Sequence, residues 1–439
     1  MGLGAAPPAR ALTPPVVDSA RLPAPSPPAP PQPTTQWAAC TEASRTRAGA
    51  GADPLRRLGL ESVWQLSRGE GQRIAVIDTG VARHVRLAHL EAAGDYVSAG
   101  DGTQDCDGHG TVVAGIISAA ADPDDPTHFA GVAPAATLLA IRQSTTKFGP
   151  ADNPDRGGFG DVDTMASAVR TAADQGATVI NISSVACGTG PLDDGRLGAA
   201  LAYAVDVKDA VVVTAAGNAD GAGQCPRQSA SPEMTWDSAT VAVSPAWYDD
   251  YVLTVGSVDD TGAPSSFSLA GPWVDVAAPG ENMVSLNPGG SGLADALPVL
   301  GRAMPLSGTS YAAPVVSGLA ALIRARFPTL TARQVMQRIE ATAHGSHGGW
   351  DPVVGYGVVD PMAALRAGEQ PSAPTPEPST HSAAGPPAAR ARTTAVVGTA
   401  LCAAVLAAAM AVLSLAARLR RPDYGLADSG AAGRINRHR

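Results

Sequence analysis

The sequence predicts an α/β protein. It has a mostly parallel central sheet with helices on both faces, followed by one C-terminal transmembrane helix. Two observations carry the globular part: short apolar runs recur along the middle of the chain, and stretches with a helical pattern separate them. A third carries the membrane part: Ala395 to Ala417 is a run of 23 residues without a charge.

Residues 1–60 are rich in Pro and Ala, with Cys40 as the one anchor. That composition cannot build a core, so the segment reads as an extended arm. Residues 61–367 form the globular block. Arg73 to Ile77, Thr137 to Ile141, Thr178 to Ile182, Val211 to Thr214 and Tyr251 to Val255 are predicted as buried strands. Val162 to Asp174 and Leu197 to Val207 are predicted as helices between them. Ligand chemistry in such a sheet belongs at the carboxyl ends of the strands.

Residues 368–394 are a Pro-rich, semi-rigid linker. Residues 395–417 would span roughly 35 Å as a helix, enough to cross a bilayer. A buried Ala-rich helix is the plainer reading, but a Pro-rich stretch precedes the run and a basic tail follows it. Arg418, Arg420 and Arg421 come directly after it, and only Arg390 and Arg392 lie just upstream. The excess of positive charge puts residues 418–439 in the cytoplasm and everything before 395 outside the membrane. Export needs a targeting signal, and Met1 to Val17 has no apolar core of the required length. The expectation is a true start upstream, with Ala9-Arg10-Ala11 as the remnant of a cleavage site.

The charge balance excludes one class of function. There are 31 Lys and Arg against 40 Asp and Glu, a net charge of -9, so no nucleic-acid-binding surface is expected. Of five cysteines, Cys402 lies in the apolar run. The other four, Cys40, Cys106, Cys187 and Cys225, are compatible with two disulfides in an oxidising compartment. Three connectivities are open. Zinc is a weak rival, since no Cys-x-x-Cys pair or His cluster accompanies them.

Three segments carry chemistry. Asp78 ends a buried strand in Val76-Ile77-Asp78-Thr79-Gly80. His109 opens a small-residue helix in Asp107-Gly108-His109-Gly110-Thr111. Ser310 starts a helix in Ser307-Gly308-Thr309-Ser310-Tyr311-Ala312-Ala313-Pro314. Singly, each has a plain reading: a strand-end turn, a loop histidine, a helix cap. Together, in the order Asp, His, Ser and with Gly-rich flanks, they resemble the active-site motifs of the subtilisin-like serine proteases. The resemblance covers the globular block. It implies a subtilisin-like fold and a serine endopeptidase in which Ser310 attacks, His109 moves the proton and Asp78 holds the imidazole.

Further roles follow from the resemblance. Asn218, in Val213-Thr214-Ala215-Ala216-Gly217-Asn218, is similar to the family's side-chain donor to the oxyanion. Ser183-Ser184-Val185 and Ala215-Ala216-Gly217 resemble the two strands that line the substrate pocket. Val185 departs from the usual glycine there, which implies a narrow pocket and a small P1 residue. The stretch Gln143 to Gly149 is expected to pair with extended substrate by strand addition. No metal or other cofactor is expected.

The layout narrows the family. A Pro-rich arm, a four-cysteine subtilisin-like block, a Pro-rich linker and one membrane helix resemble the mycosins, the membrane-anchored proteases of type VII secretion. Asp105-Cys106-Asp107-Gly108-His109-Gly110-Thr111 and Gly271-Pro272-Trp273-Val274 agree. The resemblance implies the pairings Cys40–Cys106 and Cys187–Cys225, and an arm that wraps the block. It implies a protein or peptide substrate, partners among the secretion-complex subunits, and a single-pass location in the cell membrane. A mainly structural subunit with dispensable proteolysis is the alternative, and a general cell-surface protease is a third reading. The tether and the narrow pocket speak against the third.

Overall fold

The computed structural model of the protein describes residues 12–44, 54–153, 157–219, 225–299, 301–345 and 349–366. Ala9-Arg10-Ala11, the linker at 368–394, the apolar run at 395–417 and the tail at 418–439 lie outside the described residues. Among those described, no helix is long and apolar enough to cross a membrane.

Runs of Val, Ile, Leu and Ala that are buried on both faces become the strands of one sheet. In chain order the strands are β1 (Thr34–Gln36), β2 (Arg73–Asp78), β3 (Leu90–Asp95), β4 (Thr137–Arg142), β5 (Phe148–Pro150) and β6 (Val179–Ile182). Then come β7 (Ala186–Gly188), β8 (Val211–Ala215), β9 (Ala242–Ser244), β10 (Leu253–Val258) and β11 (Val276–Pro279). The remainder are short: β12 (Ser285–Leu286), β13 (Leu293–Ala294), β14 (Ala296–Val299), β15 (Arg302–Pro305), β16 (His344–Gly345) and β17 (Gly357–Val358). The helices are α1 (Leu60–Val63), α2 (His109–Ser118), α3 (Val162–Asp174), α4 (Gly195–Ala202), α5 (Thr309–Arg326), α6 (Ala332–Thr342) and α7 (Pro361–Leu365).

The central sheet runs β16-β17-β11-β10-β8-β6-β2-β4-β3. Its strands are parallel except β16, which pairs antiparallel with β17. Ile77 of β2 lies opposite Ile141 of β4 and Ile182 of β6. Helices α2 and α5 pack together on one face, and α3 with α4 on the other. The sequence explains the helix ends. Asp161 caps α3 and Thr331 caps α6, each in a reciprocal capping box that satisfies two otherwise orphaned N–H groups.

Element boundaries shift where turns intervene. The strand predicted from Tyr251 starts at Leu253, because the Tyr251 N–H closes a turn on the Tyr248 carbonyl. It then runs on to Val258. The helix predicted through Val207 is α-helical only to Ala202, and Tyr203–Val207 forms a wider π-helical turn.

The arm is extended, as composition suggests, yet it contributes to the core: Leu12 and Leu55 are buried in the main apolar cluster. Its β1 pairs antiparallel with β5, Thr34 opposite Pro150 and Gln36 opposite Phe148. Cys40 is bonded to Cys106, and Ser44 exchanges backbone hydrogen bonds with Ala296 of β14. Arg21 pairs with Asp193 at 2.9 Å on the exposed surface. The second disulfide joins Cys187 of β7 to Cys225.

Candidate active site

The strand ends and helix starts of the sheet converge on one spot. Asp78 closes β2, His109 opens α2 and Ser310 is the second residue of α5. His109 Nδ1 lies 2.7 Å from Asp78 Oδ1, and His109 Nε2 lies 3.1 Å from Ser310 Oγ. Asp78 is nearly fully buried, while His109 keeps about a quarter of its side chain exposed. The approach of α2 to β2 depends on glycine: a Cβ on Gly110 would come within 2.0 Å of the Gly80 carbonyl oxygen. A carboxylate, an imidazole and a hydroxyl in series can pass a proton from the hydroxyl to the ring while the carboxylate holds the tautomer.

The His109 loop is organised by a residue the sequence reading passed over. Asp105 Oδ1 accepts from Thr79 Oγ1 and the Gly108 N–H, both at 2.8 Å. Its Oδ2 accepts from the Thr111 N–H at 2.8 Å and Thr111 Oγ1 at 2.6 Å. Thr79 Oγ1 in turn accepts from the Gly110 N–H at 3.0 Å. One carboxylate therefore ties the turn after Asp78 to the start of α2. Burial pushes the Asp105 carboxyl up to about 6, against the pull of the Thr111 and Thr79 donors. For His109, burial lowers the pKa, but the charges of Asp78, Asp105 and Asp107 and the bond to Asp78 outweigh it. The ring ends above its ordinary value. Tyr311 lies tilted beside the ring, with centroids 5.2 Å apart.

Asn218 Oδ1 accepts from the Thr309 N–H at 3.0 Å and from Thr309 Oγ1 at 3.1 Å. Thr309 Oγ1 also accepts from the Gly217 N–H at 3.1 Å. With the oxygen engaged, the Asn218 amide presents its Nδ2 as a donor near Gly308 and Ser310. Ser310 lies in the first turn of α5, where N–H groups have no acceptor within the helix.

The predicted substrate segments separate into different fates. Ser183 is buried and turns its hydroxyl to the Ser310 carbonyl oxygen at 2.8 Å, so its side chain faces α5. Ser184 and Val185 line a cleft of about 200 Å³ with Val162, Met165, Leu197 and Pro245. Ala215 and Ala216 are buried in and just after β8. A Cβ built on Gly217 would meet Cys225 Sγ at 3.3 Å and Val185 Cγ2 at 3.6 Å. Those two segments thus face each other closely, with a disulfide at their end.

The edge at Gln143 to Gly149 is not open for strand addition along its length. The chain fills it: Trp37 N–H bonds the Lys147 carbonyl, Gln36 and Thr35 pair with Phe148 and Gly149, and Thr145 pairs with Phe159. Asp107 takes up the Thr145 and Thr146 hydroxyls and the Thr146 N–H. Over Lys147 to Gly149 the arm supplies the strand, from more than a hundred residues away, while Gln143 and Ser144 line the cleft beside Ser184 and Val185.

Known proteins share this arrangement. Residues 69–357 match the Subtilase family. The chain is 59% identical over 435 residues to Mycosin-4 of Mycobacterium tuberculosis, covering 96% of this chain and 94% of that protein. It is 37% identical over 284 residues to a thermophilic serine proteinase of a Bacillus species, covering 64% of this chain and 58% of that protein. Among solved structures, the MycP3 protease from the type VII (ESX-3) secretion system superposes with a TM-score of 0.74 at 46% identity. That match covers 81% of this chain and 100% of the other. A chain of the intact ESX-5 inner membrane complex superposes with a TM-score of 0.77 at 39% identity, covering 92% of this chain and 100% of the other. The chain is a subtilisin-like serine protease and belongs to the mycosin family.

Proposed function

We propose that the protein is an endopeptidase anchored at the outer side of the cytoplasmic membrane, where it cleaves secreted proteins as part of a type VII secretion complex. The observation that carries the chemistry is the unbroken hydrogen-bonded series from Asp78 through His109 to Ser310. Ser310 Oγ attacks the scissile carbonyl carbon as its proton passes to His109 Nε2. Asp78 keeps the Nδ1 proton in place and stabilises the ring cation. The negative oxygen of the tetrahedral adduct is received by Asn218 Nδ2 and the Ser310 N–H. Collapse expels the amine, which takes the proton from Nε2, and water then releases the acyl group by the same steps in reverse order.

The substrate is an unfolded segment of protein. Val185 beside Gly217 leaves a narrow space, which favours a small P1 residue, and the cleft along Val162, Met165 and Leu197 suits an apolar side chain elsewhere in the peptide. Residues 1–60 act as an arm on the catalytic block at 61–367. Residues 368–394 are the linker, 395–417 cross the membrane and 418–439 lie in the cytoplasm. The uncharged run and the arginines after it support this topology. A serine-directed fluorophosphonate should label Ser310 in the detergent-solubilised protein, and Ser310→Ala should abolish both labelling and peptide cleavage. Label on another residue, with Ser310 untouched, removes the assignment.

A structural role in the complex stands beside the enzymatic one. It is favoured by relatives solved within ESX-5 inner membrane assemblies. Secretion restored to a deletion strain by the Ser310→Ala protein supports it, and a strain as defective as the deletion assigns the phenotype to cleavage.

A further inference from the structure

An α-helix satisfies the carbonyl of residue i with the N–H of residue i+4. Pro314 stands four residues after Ser310 in α5 and has no N–H to give. Its ring also crowds the carbonyl it should have bonded. The gap falls on the very residue whose hydroxyl faces His109. A donor from outside the helix occupies it: the Ser183 hydroxyl, 2.8 Å from the Ser310 carbonyl oxygen. Ser183 is itself held, since Asn181 Nδ2 donates to its oxygen at 2.9 Å. Asn181 Oδ1 accepts from Ser317 Oγ at 2.8 Å. Asn181, Ser183 and Ser317 are all buried. Residues 310 and 317 lie two turns apart on one side of the helix, so the segment from β6 grips α5 at two points.

We propose that Ser183 is a positioning residue for Ser310: its hydroxyl replaces the helical hydrogen bond that Pro314 deletes, and so fixes the Ser310 peptide and its Oγ against His109. The proposal rests on Ser310 being the nucleophile. It gives the Ser183 side chain to the enzyme rather than to the substrate. It also couples two distances, because Ser183 directly precedes Ser184 and Val185, which line the cleft. One hydrogen bond then sets how far the hydroxyl stands from a peptide bound along that wall.

The test uses the full chain in detergent and a fluorophosphonate probe, with kinact and KI measured separately. Ser183→Ala should lower kinact by about ten- to a hundredfold, the scale of a misplacement near 1 Å, and leave KI unchanged. Pro314→Ala returns an N–H to the helix. In that background Ser183→Ala should have little further effect, so the two changes are not additive. A raised KI with normal kinact returns Ser183 to the substrate wall and overturns the proposal. So does a wild-type kinact, or a Ser183→Ala penalty that is the same in both backgrounds. If Ser183→Ala alone fails to fold, the double variant decides: folding and labelling at the Pro314→Ala rate supports the proposal, and failure to fold overturns it. A wild-type chain not labelled at Ser310 sinks the proposed function, whereas a labelled wild type with any overturning outcome sinks this inference alone.

Discussion

The loop that carries His109 and the turn that carries Ser310 meet at 3.1 Å, but they are held by different forces. On the His109 side the holding groups are carboxylates and a covalent bond. Asp78 grips the ring, Asp105 gathers four donors, Asp107 fastens the loop to Thr145 and Thr146, and Cys106 bonds to Cys40. On the Ser310 side they are neutral amides and hydroxyls: Asn218, Thr309, Ser183 and Asn181. The difference follows the charge that each side must accept. Imidazole becomes a cation during the reaction, which neighbouring carboxylates stabilise. The adduct at Ser310 becomes an anion, which a carboxylate would oppose and N–H donors favour.

The contrast can be broken or sharpened by experiment. The largest effect is expected from Asn218→Ala, which removes a neutral donor from the anionic side: turnover should fall by about 10²- to 10³-fold with KM little changed. A fall of less than about threefold in a peptide-hydrolysis assay would leave the neutral side without its catalytic purpose. Asp105→Asn comes next, with a rate loss of about ten- to a hundredfold. Its signature is in the pH profile. Removing a negative charge destabilises the imidazolium, so the acid limb should move to lower pH, and a limb that stays in place would detach Asp105 from His109.

The wild-type profile tests the same point more gently. Only neutral imidazole acts as the base, so activity is lost as pH falls through the His109 pKa, which stands above its ordinary value of 6.5. Asp105, near 6, takes up a second proton below that. The acid limb should therefore steepen beyond one proton as pH drops below about 6. A slope of one down to pH 5 would show that Asp105 titrates elsewhere. The smallest effect on turnover is expected from replacing Cys40 and Cys106 together by Ser. That change should cost about 2–4 kcal/mol of stability, read as a lower Tm, because a loop of this length is no longer closed in the unfolded chain.

Legibility in the sequence followed the same divide. Asp78, His109 and Ser310 could be found because each sits in a short local pattern of Gly and small residues that the close packing of β2, α2 and α5 requires. The five strands were legible because burial on both faces leaves a continuous apolar run, and the helix Val162–Asp174 because burial on one stripe imprints a helical period. Asp105 was harder, since its meaning depends on Thr79 and Thr111 arriving together from two elements. Ser183 was only partly legible. Its neighbours do line a cleft, but its own hydroxyl turns inward to a helix that starts more than a hundred residues later. The occupied part of the edge, Lys147 to Gly149, was not legible because nothing local reveals that the arm lies along it.

The bond between Cys40 and Cys106 reaches across the connection from Ser44 to Pro54. A protease that nicked the chain anywhere in that connection would release nothing. The two pieces would still travel as one molecule through a sizing column, and would part on a gel only after a thiol was added. The smaller piece would stay fastened three residues before His109.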